Sequence, residues 1–505
     1  MILRMLSVFL VLFQFSVLYS SPFIAIKGRV VDASTNAPLL GANVVLDDSL
    51  GAATDSDGYF VISRVAPGRY GAKVSFMGYE PVFRTVDVSD QSNPFLTFEL
   101  QESFFQMQQV VVTATRNRKL MENVPVVTEL ITESDIQETG AEDLADVLED
   151  RPGIFISEND VGGKNIRMGG VDGKYILILV DGVPITGKFN NRQELNLIDA
   201  DAIQRVEIVK GPSSAIYGSE AMGGVINIIT KDIDNKLSVD FKAKTGSFDL
   251  YSGNARFSAA FDSLGISVDA DHSRGGVDPN LTSLNIRDSK MTRLGAKLDY
   301  RSPSLGQFQL HVSQSSDDQK GKDPIFNFDT DVRRYDARLY WNADIGKKLQ
   351  VRTRVYGSDY RRDYRELVTR SGFVRSQNLG RETIVGAKTD VSYLLSTSNR
   401  LDFGFDYSDD VYDSERHSVE SETPTQLDAS RRFYGLFAQA ELLPVSTFTL
   451  LFGGRYDQMS DIESHFSPRL SGMYKINPQL KARVSYGGGF RAPSFNDMYI
   501  DLDHT

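Results

Sequence analysis

The sequence contains no cysteine and a single tryptophan, Trp341. The absence of cysteine excludes disulfide bonds and thiolate chemistry. Lysine and arginine number 55 against 67 acidic residues, and the net charge of −12 argues against nucleic acid as a partner. The five histidines are scattered along the chain, without the H-E-x-x-H spacing of a zinc enzyme.

Long hydrophobic runs are also scarce. After the N-terminus, no stretch reaches the roughly 18 apolar residues that a membrane helix needs. Near the N-terminus, Arg4 precedes a short and mostly apolar run over 5–17, and Ser20 and Ser21 follow it. This pattern predicts a secretory signal peptide over residues 1–20, with a buried first strand as the alternative. An exported protein without membrane helices can cross a membrane only with strands.

The common enzyme motifs are missing as well. The stretch over 211–230, GPSSAIYGSEAMGGVINIIT, is rich in glycine and ends in an apolar run, as some phosphate-binding loops do. It lacks the G-x-x-x-x-G-K-[ST] spacing of such a loop, and its serines lack the G-x-S-x-G context of a nucleophile. We therefore expect no enzyme activity and no catalytic residue. We interpret Gly223 and Gly224 as positions where the backbone packs closely.

Residues 24–100 contain short β-prone segments separated by turn residues. Their spacing predicts a small β-sandwich. Asp55 and Asp57 lie in an Asp-Gly turn that suits a hairpin, and their spacing does not match the twelve-residue calcium loop. The segment resembles the carboxypeptidase regulatory-like domain, a sandwich without catalytic residues of its own.

Residues 101–119 form a polar linker around an isolated β-prone run. The run consists of Gln109, Val110, Val111, Val112, Thr113, Ala114 and Thr115. A run of this kind is an exposed edge, which either pairs with the preceding sandwich or joins a sheet of another protein.

Residues 120–231 have a mixed α/β pattern. Thr132 is the expected N-cap of a helical turn that ends at Gly140. The apolar segment over 175–180 predicts a strand buried on both faces, and 225–230 predicts the last strand of this region.

Residues 236–505 contain about 13 segments in which apolar and polar residues alternate. Short connections, such as 343–348 and 396–400, alternate with longer ones, such as 316–331 and 360–381. This arrangement is typical of an outer-membrane β-barrel. A stack of soluble β-sandwiches is the alternative, but it does not account for the alternating connection lengths.

Taken together, these segments resemble a TonB-dependent outer-membrane receptor. The most specific matches lie at 165–170, 178–184, 206–230 and 489–494. Met168 departs from the family pattern, because it stands where the family usually has glycine. The mixed domain is most similar to that of vitamin B12 receptors and of catecholate-siderophore or colicin I receptors.

The resemblance implies a mainly β fold in three parts. These are an N-terminal β-sandwich over 24–100, a mixed α/β plug over 120–231 and an antiparallel transmembrane β-barrel over 236–505. The run over 109–115 corresponds to the TonB box, which is expected to pair with TonB. TonB with its inner-membrane motor proteins is therefore an expected partner. The other expected partners are a ligand and outer-membrane lipid. The expected location is the outer membrane of a Gram-negative bacterium, with the sandwich in the periplasm.

The resemblance also implies ligand contacts at the plug apices and in an outer loop. The candidates are Asn159, Asp160, Lys164, Asn165, Lys188, Asn190, Asn191, Arg192, Arg361, Arg362, Tyr364 and Arg365. Arginine and tyrosine suit an anionic ferric chelate. The alternative for the outer-loop arginines is that they face lipopolysaccharide.

Two further groups have expected roles. Arg167, Arg205 and Glu207 are expected to anchor the plug to the barrel wall through ion pairs, with solubility of the plug core as the alternative. Five carboxylates fall in one predicted outer loop and make it a candidate calcium site: Asp317, Asp318, Asp323, Asp329 and Asp331. A solvated acidic loop is the alternative.

The expected function is active uptake of a scarce ligand, with a ferric siderophore preferred. Vitamin B12 or another cobamide, and an oligosaccharide or a peptide, are the alternatives. Such barrels have about 22 strands, so the sequence predicts a fragment or truncated product that lacks about nine of them. A non-transporting surface protein and a remnant without function therefore also stay open.

Overall fold

The computed structural model describes most of the chain beyond the N-terminal segment. The described residues are 24–46, 50–76, 79, 82–89, 95–101, 110–111, 113, 119–120, 124–158, 164–189, 192–233, 237–275, 286–322, 325–396, 398–419, 423–445, 447–477 and 480–499. The predicted signal peptide lies outside them. The chain divides into two compact units, Met1–Gln108 and Gln109–Thr505. Within the described part, no helix is long and apolar enough to span a membrane.

The first unit is a β-sandwich, as its turn spacing predicts. Its strands are β1 (Ile24–Asp32), β2 (Asn43–Leu46), β3 (Leu50–Ala53), β4 (Tyr59–Val65), β5 (Gly68–Ser75), β6 (Val82–Val88) and β7 (Phe95–Leu100). They form two sheets, in the orders β4-β1-β7 and β3-β2-β5-β6. Alternate residues of each strand point inward, so that Val30, Val74 and Phe98 are buried in one apolar core.

The second unit begins with a two-stranded ribbon. Strand β8 (Val110–Val111) pairs antiparallel with β9 (Lys119–Leu120). The isolated β-prone run thus pairs with a strand that lies a few residues further along the chain. Of that run, Gln109, Val112, Ala114 and Thr115 lie outside the described residues.

The plug follows as a mixed α/β region. Its elements are β10 (Thr128–Thr132), α1 (Glu133–Thr139), α2 (Leu144–Glu149), β11 (Ile154–Glu158), β12 (Lys164–Met168), β13 (Val171–Asp172), β14 (Ile176–Val180), β15 (Val183–Pro184), β16 (Lys188–Phe189), β17 (Arg192–Gln193), β18 (Ile203–Lys210), α3 (Ser214–Tyr217) and β19 (Gly224–Thr230). Short 3₁₀ turns cover Gly173–Tyr175, Leu195–Leu197 and Ala200–Ala202. The main sheet has the order β10-β18-β19-β14-β15, and a smaller sheet has the order β11-β12-β17-β16.

Local signals in the sequence place these elements. The hydroxyl of Thr132 accepts a hydrogen bond from the backbone of Asp135, whose carboxylate accepts one from the Thr132 backbone in return. Gly140 ends the helix in the left-handed region. All five residues of β14 are buried, as their unbroken apolar run predicts.

Gly223 and Gly224 permit close packing, which confirms the interpretation of this pair. A Cβ on Gly223 would lie 2.8 Å from Cγ1 of Val171, and one on Gly224 would collide with the carbonyl of Val209. Gly224 also has a φ of +146°. The backbone of β19 therefore approaches β18 more closely than a side chain allows.

The barrel region is one antiparallel sheet of 13 strands. The strands are β20 (Ser238–Thr245), β21 (Tyr251–Phe261), β22 (Leu264–Gly275), β23 (Ile286–Ser302), β24 (Gly306–Lys322), β25 (Phe326–Ile345), β26 (Leu349–Val368), β27 (Val374–Leu394), β28 (Arg400–Ser418), β29 (Thr425–Val445), β30 (Phe448–Met459), β31 (His465–Lys475) and β32 (Lys481–Gly487). Each strand pairs with the next along the chain. A short helix, α4 (Phe495–Tyr499), follows the last strand.

The two faces of this sheet differ in polarity. On β25, Arg334, Asp336 and Arg338 are buried, whereas Tyr335 and Leu339 are exposed on the other face. Polar residues thus point toward the plug and apolar residues point outward, which is the alternation expected of an outer-membrane barrel.

The prediction of long loops between the barrel strands is largely wrong. Most of 316–331 and 360–381 lies in paired strands, and only 369–373 separates β26 from β27. The apolar alternation stops outside the bilayer because both faces meet polar surroundings there, but strand pairing continues. A hydropathy pattern therefore ends before the strand does.

Candidate functional site

Thr113, which lies in the predicted TonB box, is fully buried in the plug, where three side chains hold it. Its backbone N–H and its hydroxyl both donate to Oε2 of Glu207, at 2.8 and 2.7 Å. Asn227 Nδ2 donates to the Thr113 hydroxyl at 2.9 Å, and the Tyr217 hydroxyl donates to the Thr113 carbonyl at 2.7 Å. We call Glu207, Tyr217 and Asn227 the Thr113 site.

The sheet register explains why these side chains meet. Glu207 on β18 lies directly opposite Asn227 on β19, so their side chains are neighbours on one face. An apolar cluster that includes Val111, Val124 and Val225 packs beside them. The hydrogen bonds therefore form away from water, and leaving any of these buried groups unpaired is costly.

Two of the three expected plug–barrel anchors act elsewhere. The Arg167 side chain is exposed and makes no ion pair with the barrel among the residues described, because its neighbours on β12, Ile166 and Met168, are the inward-facing positions. The described contacts of Glu207 are with Thr113 and with Arg205, whose Nε lies 2.9 Å from Oε1 of Glu207.

Arg205 is the third expected anchor. Its described hydrogen bonds go to Gln204 and Glu207, within the plug. Its side chain also lines a polar cavity of about 330 Å³ between plug and barrel, together with Arg352 and Arg354 of the barrel wall. Arg205 therefore faces the barrel without an ion pair to it in the described structure.

Side chains of the barrel wall instead form hydrogen bonds with the 3₁₀ turn Leu195–Leu197. Arg293 Nη2 donates to the carbonyl of Asn196 at 2.7 Å, and Ser315 donates to that of Leu197 at 3.1 Å. In return, Asn196 Nδ2 donates to Asp317 at 2.7 Å. No local sequence pattern indicates these contacts, because they join residues about a hundred positions apart.

Next to this turn, Glu194 forms a buried ion pair with the barrel. Arg362 Nη1 lies 2.7 Å from Oε1 of Glu194, and the Tyr360 hydroxyl is 3.3 Å from the same oxygen. Nearby, the plug residue Gly187 donates its N–H to Glu382 at 3.0 Å. Plug and barrel are thus joined by charged groups on β26 and β27, of which Arg362 is buried and Glu382 is half-buried.

The interface between plug and barrel shifts the pKa values of two plug carboxylates in opposite directions. Burial raises the pKa of Asp199 to about 7; the charge of Arg293 opposes this shift and that of Asp271 adds to it. Burial also disfavours ionised Asp181, but His311 and Lys297 beside it hold its pKa below the usual range. The nearest His311 nitrogen is 3.6 Å from Asp181.

A further barrel residue contacts α3. Arg455 on β30 is fully buried, and its Nη1 donates to the carbonyl of Ile216 at 3.1 Å. Asp406 and Asp457 balance its charge, at 2.7 and 2.6 Å. Only the inward parity of these strand positions would have indicated them from the sequence.

The structure separates the candidate ligand residues of β26 onto two faces. Arg362 and Tyr364 are buried on the inner face, whereas Arg361 and Arg365 alternate to the outer face. A ligand that enters the barrel does not reach the outer pair, so their assignment to the ligand is corrected. The strand geometry causes this split, because successive residues point to opposite faces.

The candidate residues at the plug apices are only partly described. Asn159, Asp160, Asn190 and Asn191 lie outside the described residues, as do the side chains of Lys188 and Arg192. Asn165 is partly exposed on β12, opposite Ser157 of β11. Lys164 lies 3.7 Å from Asp143 and 3.6 Å from Asp146, both at the start of α2.

The four described carboxylates of the calcium prediction do not form one group. Asp317 points inward and bonds to Asn196, whereas Asp318 is exposed on the opposite face, in register with Asp331. Asp329 follows the outward parity of Asp331, and Asp323 lies outside the described residues. Across the part of the chain that is described, no three His, Asp or Glu side chains form a metal-binding group.

Family models match almost the whole described chain. Residues 26–112 match the CarboxypepD_reg-like domain, 121–225 match the TonB-dependent receptor plug domain, and 231–503 match the TonB-dependent receptor-like β-barrel.

Curated relatives include two Vibrio proteins. The iron-regulated outer membrane virulence protein of Vibrio cholerae serotype O1 is 26% identical over 425 residues, which are 78% of this chain and 61% of the relative. The vitamin B12 transporter BtuB of Vibrio vulnificus is 26% identical over 409 residues, which are 78% of this chain and 65% of the relative. The chain thus spans less than two thirds of these relatives.

Solved structures share the fold. The pyoverdine outer membrane receptor FpvA from Pseudomonas aeruginosa superposes with a TM-score of 0.66 at 14% identity, covering 76% of this chain and 65% of that one. The ferric enterobactin receptor PfeA of the same species gives 0.61 at 18% identity, covering 76% and 64%. With both the plug and the barrel matched, the chain belongs to the TonB-dependent receptors, outer-membrane proteins of Gram-negative bacteria that are receptors rather than enzymes.

Proposed function

We propose that this receptor takes up a scarce ligand, preferably a ferric siderophore, across the outer membrane with energy supplied through TonB. The observation that carries the proposal is the burial of Thr113 in the Thr113 site, which holds the TonB box within the plug. A strand that is sequestered in this way can be released to pair with TonB in the periplasm, where the sandwich would also lie.

Release of the box needs free energy from the ligand. A typical hydrogen bond contributes about 1 kcal/mol net, so the four bonds of Thr113 favour the docked state by a few kcal/mol. A ligand opens the site only to the extent that it binds the opened state more tightly. Transport then needs energy supplied through TonB, because a tightly bound ligand dissociates slowly from the receptor.

The chemistry of the inner wall supports an anionic ligand. Arg362 and Tyr364 lie on the inner face of β26, where the guanidinium carbon of Arg362 is 5.8 Å from the centre of the Tyr364 ring and Arg362 also pairs with Glu194 of the plug. Arginine and tyrosine bind anionic ferric chelates through charge-assisted hydrogen bonds and aromatic contacts. The relative named iron-regulated outer membrane virulence protein and the solved receptor structure bound to pyoverdine support the same ligand class.

A cobamide is the second candidate. It rests on the several relatives named vitamin B12 transporter BtuB, one of which is 36% identical over 144 residues. Calcium has no role in this proposal, since the described carboxylates of its candidate loop point to opposite faces.

Deletion of residues 109–115 tests the proposal. The complete receptor is expressed in a strain that lacks its own siderophore and B12 receptors, and uptake of ferric enterobactin and of cyanocobalamin is measured. We expect the deletion to abolish energised uptake while binding to chilled cells persists. A deletion of equal length over 101–107 is the matched control and should leave both unchanged.

Energised uptake at the parental rate after deletion of 109–115 would show that this run is not a TonB box. Binding of cyanocobalamin without binding of ferric enterobactin would favour the second candidate.

A further inference from the structure

The short helix α3 lies between the barrel wall and the TonB box. All four of its residues, Ser214 to Tyr217, are buried. On one side the carbonyl of Ile216 accepts a hydrogen bond from Arg455, and on the other the hydroxyl of Tyr217 donates one to Thr113. One helical turn thus connects a barrel strand to the TonB box.

Arg455 is held rigidly in this position. It is fully buried, and Asp406 on β28 and Asp457 on β30 bind its guanidinium from the barrel side. The ring of Phe433 lies 5.5 Å from its guanidinium carbon. Because the planar guanidinium has fixed donor directions, a shift of these strands moves the donor that holds Ile216.

The glycine after α3 keeps this contact close. Gly218 has a φ of +83°, and a Cβ at this position would lie 3.2 Å from Nε of Arg455. The N–H of Gly218 donates to the carbonyl of Ser214 at 2.8 Å, which closes the turn. The backbone of α3 therefore rests directly against the arginine, with no side chain between them.

We propose that Arg455 is a positioning residue that keeps the TonB box docked by fixing α3. This inference rests on the proposed function, because it assigns a regulator to the same box. A displacement of β28 or β30 moves Arg455 and Ile216 together, turns Tyr217 away from Thr113 and weakens the Thr113 site. The barrel wall thereby controls release of the box, in addition to the plug itself.

The absence of cysteine permits a direct test. Val111 is buried two residues before Thr113, so a V111C variant carries one cysteine that is hidden while the box is docked. The purified receptor in detergent is treated with a maleimide in the absence of ligand and TonB, and the labelling rate is measured. The parental V111C protein should label slowly.

Y217F and R455Q, each combined with V111C, should raise the labelling rate about tenfold, the effect of one lost hydrogen bond. R455K retains the positive charge and N–H donors on a single nitrogen, and should return the rate toward the parental value. R293Q removes a buried barrel arginine that holds a different plug carbonyl, that of Asn196, and serves as the matched control with an unchanged rate.

A second variant, G218A, tests the same contact in case R455Q does not fold. G218A leaves every charge in place and pushes the α3 backbone from Arg455, so it should also raise the rate. Protease resistance of the barrel is compared in all variants. If R455Q and G218A label at the parental rate while Y217F labels faster, Arg455 does not position α3, and the inference is overturned.

The outcome is independent of transport. If the 109–115 deletion leaves uptake intact, the proposed function fails, whatever the labelling rates. If that deletion abolishes uptake but R455Q and G218A leave labelling unchanged, only the role of Arg455 fails.

Discussion

Glu194 of the plug and Arg362 of the barrel wall form an ion pair of 2.7 Å, although both side chains are almost completely withdrawn from solvent. The pair lies beside the Leu195–Leu197 turn, which four barrel side chains also hold through hydrogen bonds: Arg293, Ser315, Asp317 and Arg334. The plug is thus fixed to the wall by charged groups that water does not screen.

Breaking this ion pair should destabilise the plug. R362M leaves Glu194 charged and buried, and E194Q leaves Arg362 without its counter-ion, so each should cost about 3–5 kcal/mol. The free energy of plug unfolding is measured by pulse proteolysis in urea. The double variant should cost less than the sum of the single variants, and strict additivity would show that the two groups do not interact.

Asp199 should make the stability of the plug depend on pH. Because burial raises its pKa to about 7, the folded protein keeps this proton at pH values where the unfolded chain has lost it. The free energy of unfolding therefore falls as the pH rises from about 4 to about 7, with no further change from this group above that range.

The D199N variant isolates this contribution. Urea midpoints are measured at pH 5 and pH 8 for both proteins. The drop between the two values should be smaller in D199N, since asparagine does not titrate. An equal drop in both proteins would contradict the assignment of a raised pKa to Asp199.

Substitution of Gly224 should test the close packing of β19. In G224A the new Cβ meets the carbonyl of Val209 and the end of the Met168 side chain, and the φ of +146° is strained for alanine. We expect a loss of about 2 kcal/mol or more in plug stability, measured by the urea midpoint.

Gly211 provides the matched control for that substitution. It also has a positive φ, +93°, but nothing lies within 4 Å of a Cβ at this position. G211A therefore shows the cost of backbone strain alone, and it should destabilise the plug less than G224A. Equal losses would show that packing against Val209 contributes nothing.

The two faces of β26 should differ in ligand binding. Tyr364 points inward and Arg361 outward, so Y364A should weaken binding about tenfold while R361A leaves it within about twofold. Affinity is measured on whole cells with ferric enterobactin and cyanocobalamin, using whichever binds the parental receptor. A stronger effect of R361A would place the ligand on the outer surface.

The sequence predicts the elements of this fold better than its contacts. The cap at Thr132, the buried strand β14 and the inward–outward alternation of the barrel follow from local patterns of 2 to 4 residues. The partners of Arg455, by contrast, lie on β28, β30 and α3, and Ile216 is 239 residues away along the chain. No local pattern encodes such a contact, because the pairing register of the whole sheet sets it.

The ligand candidates illustrate the same limit. The residue types at 361–365 indicate recognition of an anion, but only knowledge that this stretch is a strand separates Arg362 from Arg361. A loop would have left both side chains available to a ligand. The error in secondary structure thus became an error in the site.

The long barrel strands have a consequence for how the receptor captures its ligand. Strand β27 has 21 residues, and at about 3.3 Å per residue it is roughly twice as long as the apolar layer of the outer membrane requires, even when tilted. The excess forms a stiff collar of paired backbone beyond the bilayer. A collar that is already ordered loses little conformational entropy when a molecule enters it, so a few well-placed inner side chains suffice for tight capture.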